Sequence, residues 1–400
     1  MSARISGRVP DDFEPNPLAR LLAAKRAAGR RVLDLTVTNP TRVGLSLAPP
    51  RVGGRVSDVY EPDPRGSRAA RTAVAQVLAE REGRDVSPDS LVLTTSTSES
   101  YAHLFRLLCD PGDDVLVPTP SYPLFEPLAR IEGVEIREYG LHLAAERTGP
   151  DPARWRIDAQ ELDALAGPRT RAILLVQPNN PTGSCVRAEE LAAIEEVAAR
   201  RGLALISDEV FGDFPWPPRS APLPSLLAAA RPVPTFVLGG LSKLCGLPQM
   251  KLGWIAVTGP ERDAARAMEG LEWIADLFLS TSAPVEAALP DLLARRHPFR
   301  TALLERLATN LGLLRRTRGP ARLIEAEGGW SAVVRLAPDS GADANSLQPG
   351  DDPAQGILDR FDVLLHPGHF YGLPDSYLVL SLIVEPSTLR EALDRWNAAG

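Results

Sequence analysis

The sequence predicts an α/β fold, with a large domain on a mostly parallel sheet and a smaller α+β domain. Three observations lead there. From about Arg68 to Leu238, short β-rich runs alternate with helical segments. Such alternation implies crossover connections and a parallel sheet covered on both faces. The chain has 400 residues, above the roughly 250–300 at which single cores stop growing, so two domains are expected. Near Glu261 the texture changes to long helical stretches and a mixed tail.

The elements follow in order. Residues 17–28 have helical periodicity and stop at Gly29. Residues 32–37 alternate weakly and break at Asn39-Pro40, a turn signal. Arg68–Glu82 reads as a helix with Ala70, Val74, Val77 and Leu78 on one face. Strands are predicted at 91–95, 115–118, 134–139, 172–176, 203–207 and 235–238. Helices are predicted between them at 98–108, 122–131 and Ala188–Arg201. The Pro-containing stretches 151–154 and 214–218 read as surface connections. Two long helical stretches follow, 261–279 and 284–314. The tail reads as a strand at 331–336, a polar loop at 339–352, a helix at 354–361, strands at 363–366 and 378–384, and a helix at 387–397. The expected division is an N-terminal arm joining the small domain (1–55), a large domain (56–285) and a small C-terminal domain (286–400).

Composition narrows the function classes. Lys plus Arg is 44 and Asp plus Glu is 51, a net charge of −7. This gives no electrostatic reason to bind nucleic acid or an anionic membrane. No apolar run approaches the roughly 20 residues that span a bilayer, and the N-terminus lacks the apolar stretch of a secretory signal. Cys109, Cys185 and Cys245 are odd in number and lack metal spacing, so they read as free thiols in a reducing cytoplasm. The five histidines show no ligand spacing, and no metal is expected.

Ligands of open α/β sheets bind beyond the carboxyl ends of the strands, and four polar clusters fall there. Residues 94–99, Thr-Thr-Ser-Thr-Ser-Glu, sit at a strand-to-helix turn. Unpaired amides and the helix dipole make that a phosphate site, although alone it is more often a plain helix cap. In Gln177-Pro-Asn-Asn-Pro-Thr-Gly183, a rigid turn lets Asn180 offer an amide donor; by itself it is an ordinary loop. Asp208 ends a strand, where a carboxylate is suited to hold a cationic ring nitrogen, or merely to cap a helix. Lys243 lies in the apolar, Gly-rich loop Leu238-Gly-Gly-Leu-Ser-Lys-Leu-Cys-Gly246. Desolvation there would free its amine for Schiff-base chemistry, against the usual reading of an exposed surface lysine. In this order along one domain the four clusters form one site.

The set resembles the class I/II aminotransferases, pyridoxal-phosphate enzymes of fold type I. The resemblance rests on Tyr60-x-Pro-x-x-x-Gly66, residues 94–99, Pro111-Gly-Asp-Asp-Val-Leu-Val-Pro118, Pro120-Ser-Tyr-Pro123, Asn180-Pro-Thr-Gly183, Ser207-Asp-Glu-Val210, Ser242-Lys243, Gly246-Leu-Pro248 and Leu252-Gly-Trp254. It implies a mostly parallel seven-stranded sheet between helices, pyridoxal 5'-phosphate as cofactor and a cytoplasmic homodimer. By the same resemblance Lys243 would bind the cofactor as a Schiff base and shuttle a proton to and from the substrate. Asp208 would pair with the pyridinium nitrogen, Asn180 would donate to the phenolic oxygen, and Tyr122 would stack on the ring. Ser96, Thr97 and Ser98, with Ser242 and Lys251, would hold the phosphate. Tyr60 would reach the phosphate of the neighbouring subunit.

The sequence also departs from the pattern. Phe211 stands beside the phenolic oxygen where the family often has Tyr, Lys251 stands where Arg is usual, and Gly240 lacks a frequent Ser. The family usually grips the substrate carboxylate with an Arg on a late strand, but here Tyr377-Leu-Val-Leu-Ser381 has Val379 and Leu380 at the candidate positions. Arg42, in Asn39-Pro-Thr-Arg42, is the candidate replacement, against the usual reading of a solvated arm arginine, and Trp330 after Gly328-Gly329 reads either as lining the substrate side or as a core aromatic. The expected activity is transfer of an amino group from an amino acid to an oxo acid or aldehyde. The alternative is a lyase, decarboxylase or cyclase on the same scaffold. A cofactor-binding regulatory module is disfavoured, since the chain carries no helix-turn-helix extension or basic patch.

Overall fold

The structure, a computed structural model, describes residues 5–10, 13–45, 59, 61–144, 154–317, 321–336 and 352–397. In chain order the strands are β1 (Leu33–Asp34), β2 (Leu91–Thr94), β3 (Asp114–Thr119), β4 (Glu135–Ala144), β5 (Arg154–Ile157), β6 (Thr170–Val176), β7 (Ala204–Asp208), β8 (Thr235–Gly240), β9 (Gly253–Thr258), β10 (Ala321–Leu323), β11 (Ser331–Leu336), β12 (Val363–Leu364), β13 (His366–Pro367) and β14 (Tyr377–Ser381).

The main sheet has the order β2-β9-β8-β7-β6-β3-β4-β5. Pairs among β4, β3, β6, β7 and β8 are parallel, while β9 runs antiparallel to both β8 and β2. The central strands β6, β7 and β8 are apolar runs buried along almost their whole length, as a sheet sandwiched between helices requires.

This sheet has eight strands, which corrects the expectation of seven. Residues 151–154 were expected to be a connection only, but Arg154 begins β5, which folds back on β4 with Trp155 opposite Leu143. Strand β9 was also missed, although Trp254-Ile-Ala-Val-Thr258 is an apolar, β-branched run of the kind that marks a buried strand.

Other boundaries moved for local reasons. The stretch 284–314 is two helices, Ala283–Ala294 and Arg296–Arg316. Pro298 has no N–H to give the Ala294 carbonyl, so one continuous helix would lose a bond there. The helix expected at 122–131 is Phe125–Glu132; Pro123 disfavours a helical Tyr122. The helix Glu261–Asp276 ends short of Leu279, whose φ is 44°. The polar loop expected at 339–352 lies almost wholly outside the described residues.

A second, antiparallel sheet has the order β10-β11-β14-β13, and β1 pairs with β12. The small sheet is divided by its pleat. Val333, Tyr377 and Val379 join the apolar cluster that continues into the main sheet. Ala332, Val334, Leu378 and Leu380 join a second cluster with the helices Arg296–Arg316, Pro353–Phe361 and Pro386–Asn397. Burying each such Val or Leu contributes roughly 1.5–3 kcal/mol, so both faces of the small sheet are anchored.

One glycine ties the lysine loop to this core. Gly246 has φ +64°, and a Cβ there would lie 2.3–2.9 Å from ring atoms of Phe299. Phe299 is fully buried and cannot swing away. Gly246→Ala is expected to lower stability by about 2–3 kcal/mol through overpacking and left-handed strain, read as a drop in the urea midpoint.

Candidate active site

Three segments meet at one end of the main sheet. Gly253 is the register partner of both Thr94 on β2 and Gly240 on β8. A Cβ on Gly253 would lie 3.1 Å from the Gly239 carbonyl oxygen and 3.2 Å from both Ser96 C and Thr94 Oγ1, so glycine permits this close approach. The turn after β2, the helix after β8 and the chain entering β9 therefore converge.

Ser96 caps the helix Thr97–Leu108, its Oγ accepting from the Glu99 amide at 3.2 Å. The Glu99 carboxylate accepts from the Thr95 amide at 2.6 Å and the Ser280 hydroxyl at 2.8 Å. Thr97 and Ser98 open the helix, where amides have no partner within the helix. Ser242 is half-buried in the short helix Leu241–Leu244, and Lys251 is exposed with φ +50° just before β9. This edge presents N–H groups, hydroxyls and one ammonium group, the chemistry an anion needs.

Asp208 ends β7 and is buried. The Tyr101 hydroxyl donates to its Oδ2 at 2.7 Å, and the Val210 amide donates to Oδ1 at 3.1 Å. Burial raises its pKa, with Glu209 pushing the same way; the two hydrogen bonds and Lys243 oppose that rise. Lys243 is half-buried, and desolvation lowers its pKa while Asp208 raises it. Its Nζ lies 5.5 Å from the Phe211 ring centre and 5.1 Å from that of Trp330. Phe211 and Trp330 meet edge to face at 5.4 Å, and Phe214 and Phe299 also pack against the indole. The amine thus sits in an aromatic recess, which tolerates a cation but also an uncharged nucleophile.

Asn180 lies in the turn after β6, and the Ser331 hydroxyl donates to its Oδ1 at 3.1 Å. That leaves its amide hydrogens for another acceptor. The neighbouring Asn179 donates to Ser121 Oγ at 3.0 Å, holding the segment that carries Tyr122. Tyr122 is 36% exposed and packs edge to face on Phe125. Burial and the charge of Asp208 both raise its pKa.

The structure therefore brings Lys243, Asp208, Phe211 and Trp330 together at the sheet's end, with Tyr122 held close enough to feel Asp208. It gathers Ser96, Thr97, Ser98 and Ser242 along the neighbouring edge. Asn39 and Arg42 lie on the N-terminal arm. Asn39 caps a 3-10 turn, its Oδ1 accepting from the Thr41 amide and hydroxyl, and Arg42 is exposed at that turn's end. Tyr60 lies outside the described residues. Sequence reasoning missed Tyr101 and Ser331, the partners of Asp208 and Asn180. Tyr101 carried a readable signal, as the one aromatic a single turn into the helix after the 94–99 cluster.

A family model described as aminotransferase class I and II matches residues 60–395. Nicotianamine aminotransferase 1 of Oryza sativa subsp. japonica is 26% identical over 339 residues, 82% of this chain and 65% of that protein. The glutamate-pyruvate aminotransferase AlaA of Escherichia coli strain K12 is 29% identical over 273 residues, 66% of this chain and 64% of that protein. The matched part thus spans just under two-thirds of these relatives' length. Among solved structures, an alanine aminotransferase from Pyrococcus furiosus superposes with a TM-score of 0.81 at 23% identity, over 99% of both chains; this establishes a shared fold.

Proposed function

Because the chain belongs to the class I and II aminotransferases, we propose that it moves an amino group from an amino acid donor to an oxo acid or aldehyde acceptor. Members of this family depend on pyridoxal phosphate, and the donor set fits that group. A buried carboxylate with neutral hydrogen-bond partners lies near a desolvated amine, and a glycine-lined edge rich in N–H groups lies beside them. When bound, the cofactor supplies an aldehyde for a lysine amine and an electron-withdrawing cationic ring.

The chain's own groups then have separable tasks. Lys243 holds the cofactor and moves a proton at its Nζ. Asp208, whose two oxygens are held by Tyr101 and Val210, offers its carboxylate to a ring nitrogen. Asn180, fixed through its oxygen by Ser331, turns its N–H toward a phenolic oxygen. Tyr122 covers a ring face, while Phe211 and Trp330 exclude water around the lysine. The amides of Thr97 and Ser98, with the Ser96 and Ser242 hydroxyls and Lys251, receive the phosphate. The observation that carries this reading is the desolvated Lys243 amine facing aromatic rings, electrostatically coupled to buried Asp208.

Two copies are proposed to form the working enzyme. Trp273 (67% exposed), Leu277 (64%) and Phe278 (50%) form an apolar surface at the end of helix Glu261–Asp276 that supports this. The cytoplasm is the proposed compartment, supported by three unpaired cysteines. The proposed domain limits remain 1–55, 56–285 and 286–400.

The test is a single turnover of cofactor-loaded protein with a panel of L-amino acids and no acceptor. One equivalent of the matching oxo acid per site, without ammonia, is the expected result. Ammonia released together with pyruvate would place the enzyme among the lyases instead.

A further inference from the structure

Strand β14 presents no cation to a substrate carboxylate, yet a polar pair occupies the same face of the small sheet. His366 on β13 is the register partner of Val379, and Val379 is in turn the partner of Val333 on β11. Residues directly opposite across antiparallel strands share a face, as do alternate residues along one strand. Ser331, two residues before Val333, donates its hydroxyl to Asn180. Ser331, Val333, Val379 and His366 therefore line the face that looks onto the candidate active site.

His366 Nδ1 and the Tyr371 hydroxyl are 2.8 Å apart. The loop that carries Tyr371 is clamped on the segment before Tyr122. The Ser121 amide donates to the Tyr371 carbonyl at 3.0 Å, and a Cβ on Gly372 would stand 2.5 Å from Thr119 Oγ1. Burial pushes the Tyr371 pKa up to about 12, and the Tyr122 phenol adds to the rise. Burial lowers the His366 pKa against the pull of Asp34. Burial thus disfavours the charged form of both groups, and a neutral imidazole carries one N–H. With that hydrogen on Nδ1, the ring donates to the phenol oxygen and leaves the phenol's own hydrogen free for a ligand.

We propose that the Tyr371 hydroxyl, oriented by His366, donates the hydrogen bond that holds the carboxylate of the amino donor. The inference rests on the aminotransferase reading and adds what meets the substrate. Tyr371 touches the donor and His366 is a positioning residue. A single neutral donor replaces a charged two-pronged grip, so affinity must come partly from the donor's side chain. Buried Phe211 and Trp330 make the surroundings of Lys243 apolar, which points to donors with apolar or aromatic side chains.

The experiment is calorimetric titration of cofactor-loaded protein with 3-phenylpropionate, an aromatic carboxylate without an amine. The wild type should bind it, and Tyr371→Phe should bind roughly ten- to a hundredfold more weakly, as expected for one hydrogen bond to a charged group. His366→Leu should weaken binding similarly, while His366→Asn, which keeps an N–H near the Nδ1 position, should restore most of it. Unchanged cofactor absorbance in all variants would show that the fold and the lysine site survive. Equal dissociation constants for the wild type and Tyr371→Phe, or no binding by loaded wild type, overturn the assignment. Loss of binding in Arg42→Ala but not in Tyr371→Phe would hand the role to the arm and also overturn it. Wild type that fails to take up pyridoxal phosphate at Lys243 sinks the parent reading, and this one with it.

Discussion

Lys243→Ala is expected to reduce turnover by about ten-thousandfold or more, the scale of losing a positioned base together with a covalent anchor. The chain has three lysines, so few amines can substitute. Lys25 is held by Asp362 at 3.0 Å in an ion pair of the small domain. Lys251 is exposed and in a left-handed conformation before β9. Lys243 has aromatic rings on two sides, and desolvation lowers its pKa, which favours the unprotonated amine. The variant should also lose the long-wavelength absorbance of protein-bound cofactor and the borohydride-reducible link at this position. Its fold should remain, because trimming a desolvated amine removes a burial penalty rather than a contact network. Measurable turnover in a single-turnover assay of Lys243→Ala would contradict the assignment of the amine.

Much of this arrangement was legible in the sequence for a local reason. Asp208, Asn180 and Ser96–Ser98 sit where an apolar strand gives way to a short polar cluster, and Lys243 where one gives way to a Gly-rich loop; each break is visible within ten residues. Strands β6, β7 and β8 were equally legible as apolar runs between helices. What stayed hidden depends on distant pairing. Tyr101 meets Asp208 across 107 positions, and Ser331 meets Asn180 across 151. No periodicity reports such contacts. The His366–Tyr371 pair is close in sequence, but its meaning comes from the register of β13 on β14, which places His366 beside Val379. β5 was hidden because a four-residue edge strand with two arginines has little apolar signal.

Asp208→Asn separates catalysis from stability. The substitution keeps the shape and leaves an oxygen to accept from the Tyr101 hydroxyl, but it removes the fixed charge. A preorganised electrostatic group of this kind is worth about 10²–10³ in rate, and that loss in kcat is expected, with weaker retention of the cofactor on dialysis. Stability of the cofactor-free protein should move the other way. Burial raises the Asp208 pKa in the folded state, so the folded chain holds this proton more tightly than the unfolded chain. The contribution of that proton is complete below the unfolded value, roughly 3.9. It is lost as pH climbs through the folded pKa. Above that window the wild type carries an ionised buried carboxylate without its cationic partner, and Asn does not. The urea midpoint of cofactor-free Asp208→Asn should therefore equal or exceed that of the wild type at pH 8, and lose its advantage in acid. A variant that is less stable than the wild type at both pH values would mean that Asp208 holds the fold together through Tyr101, and that its charge is not kept for a ligand.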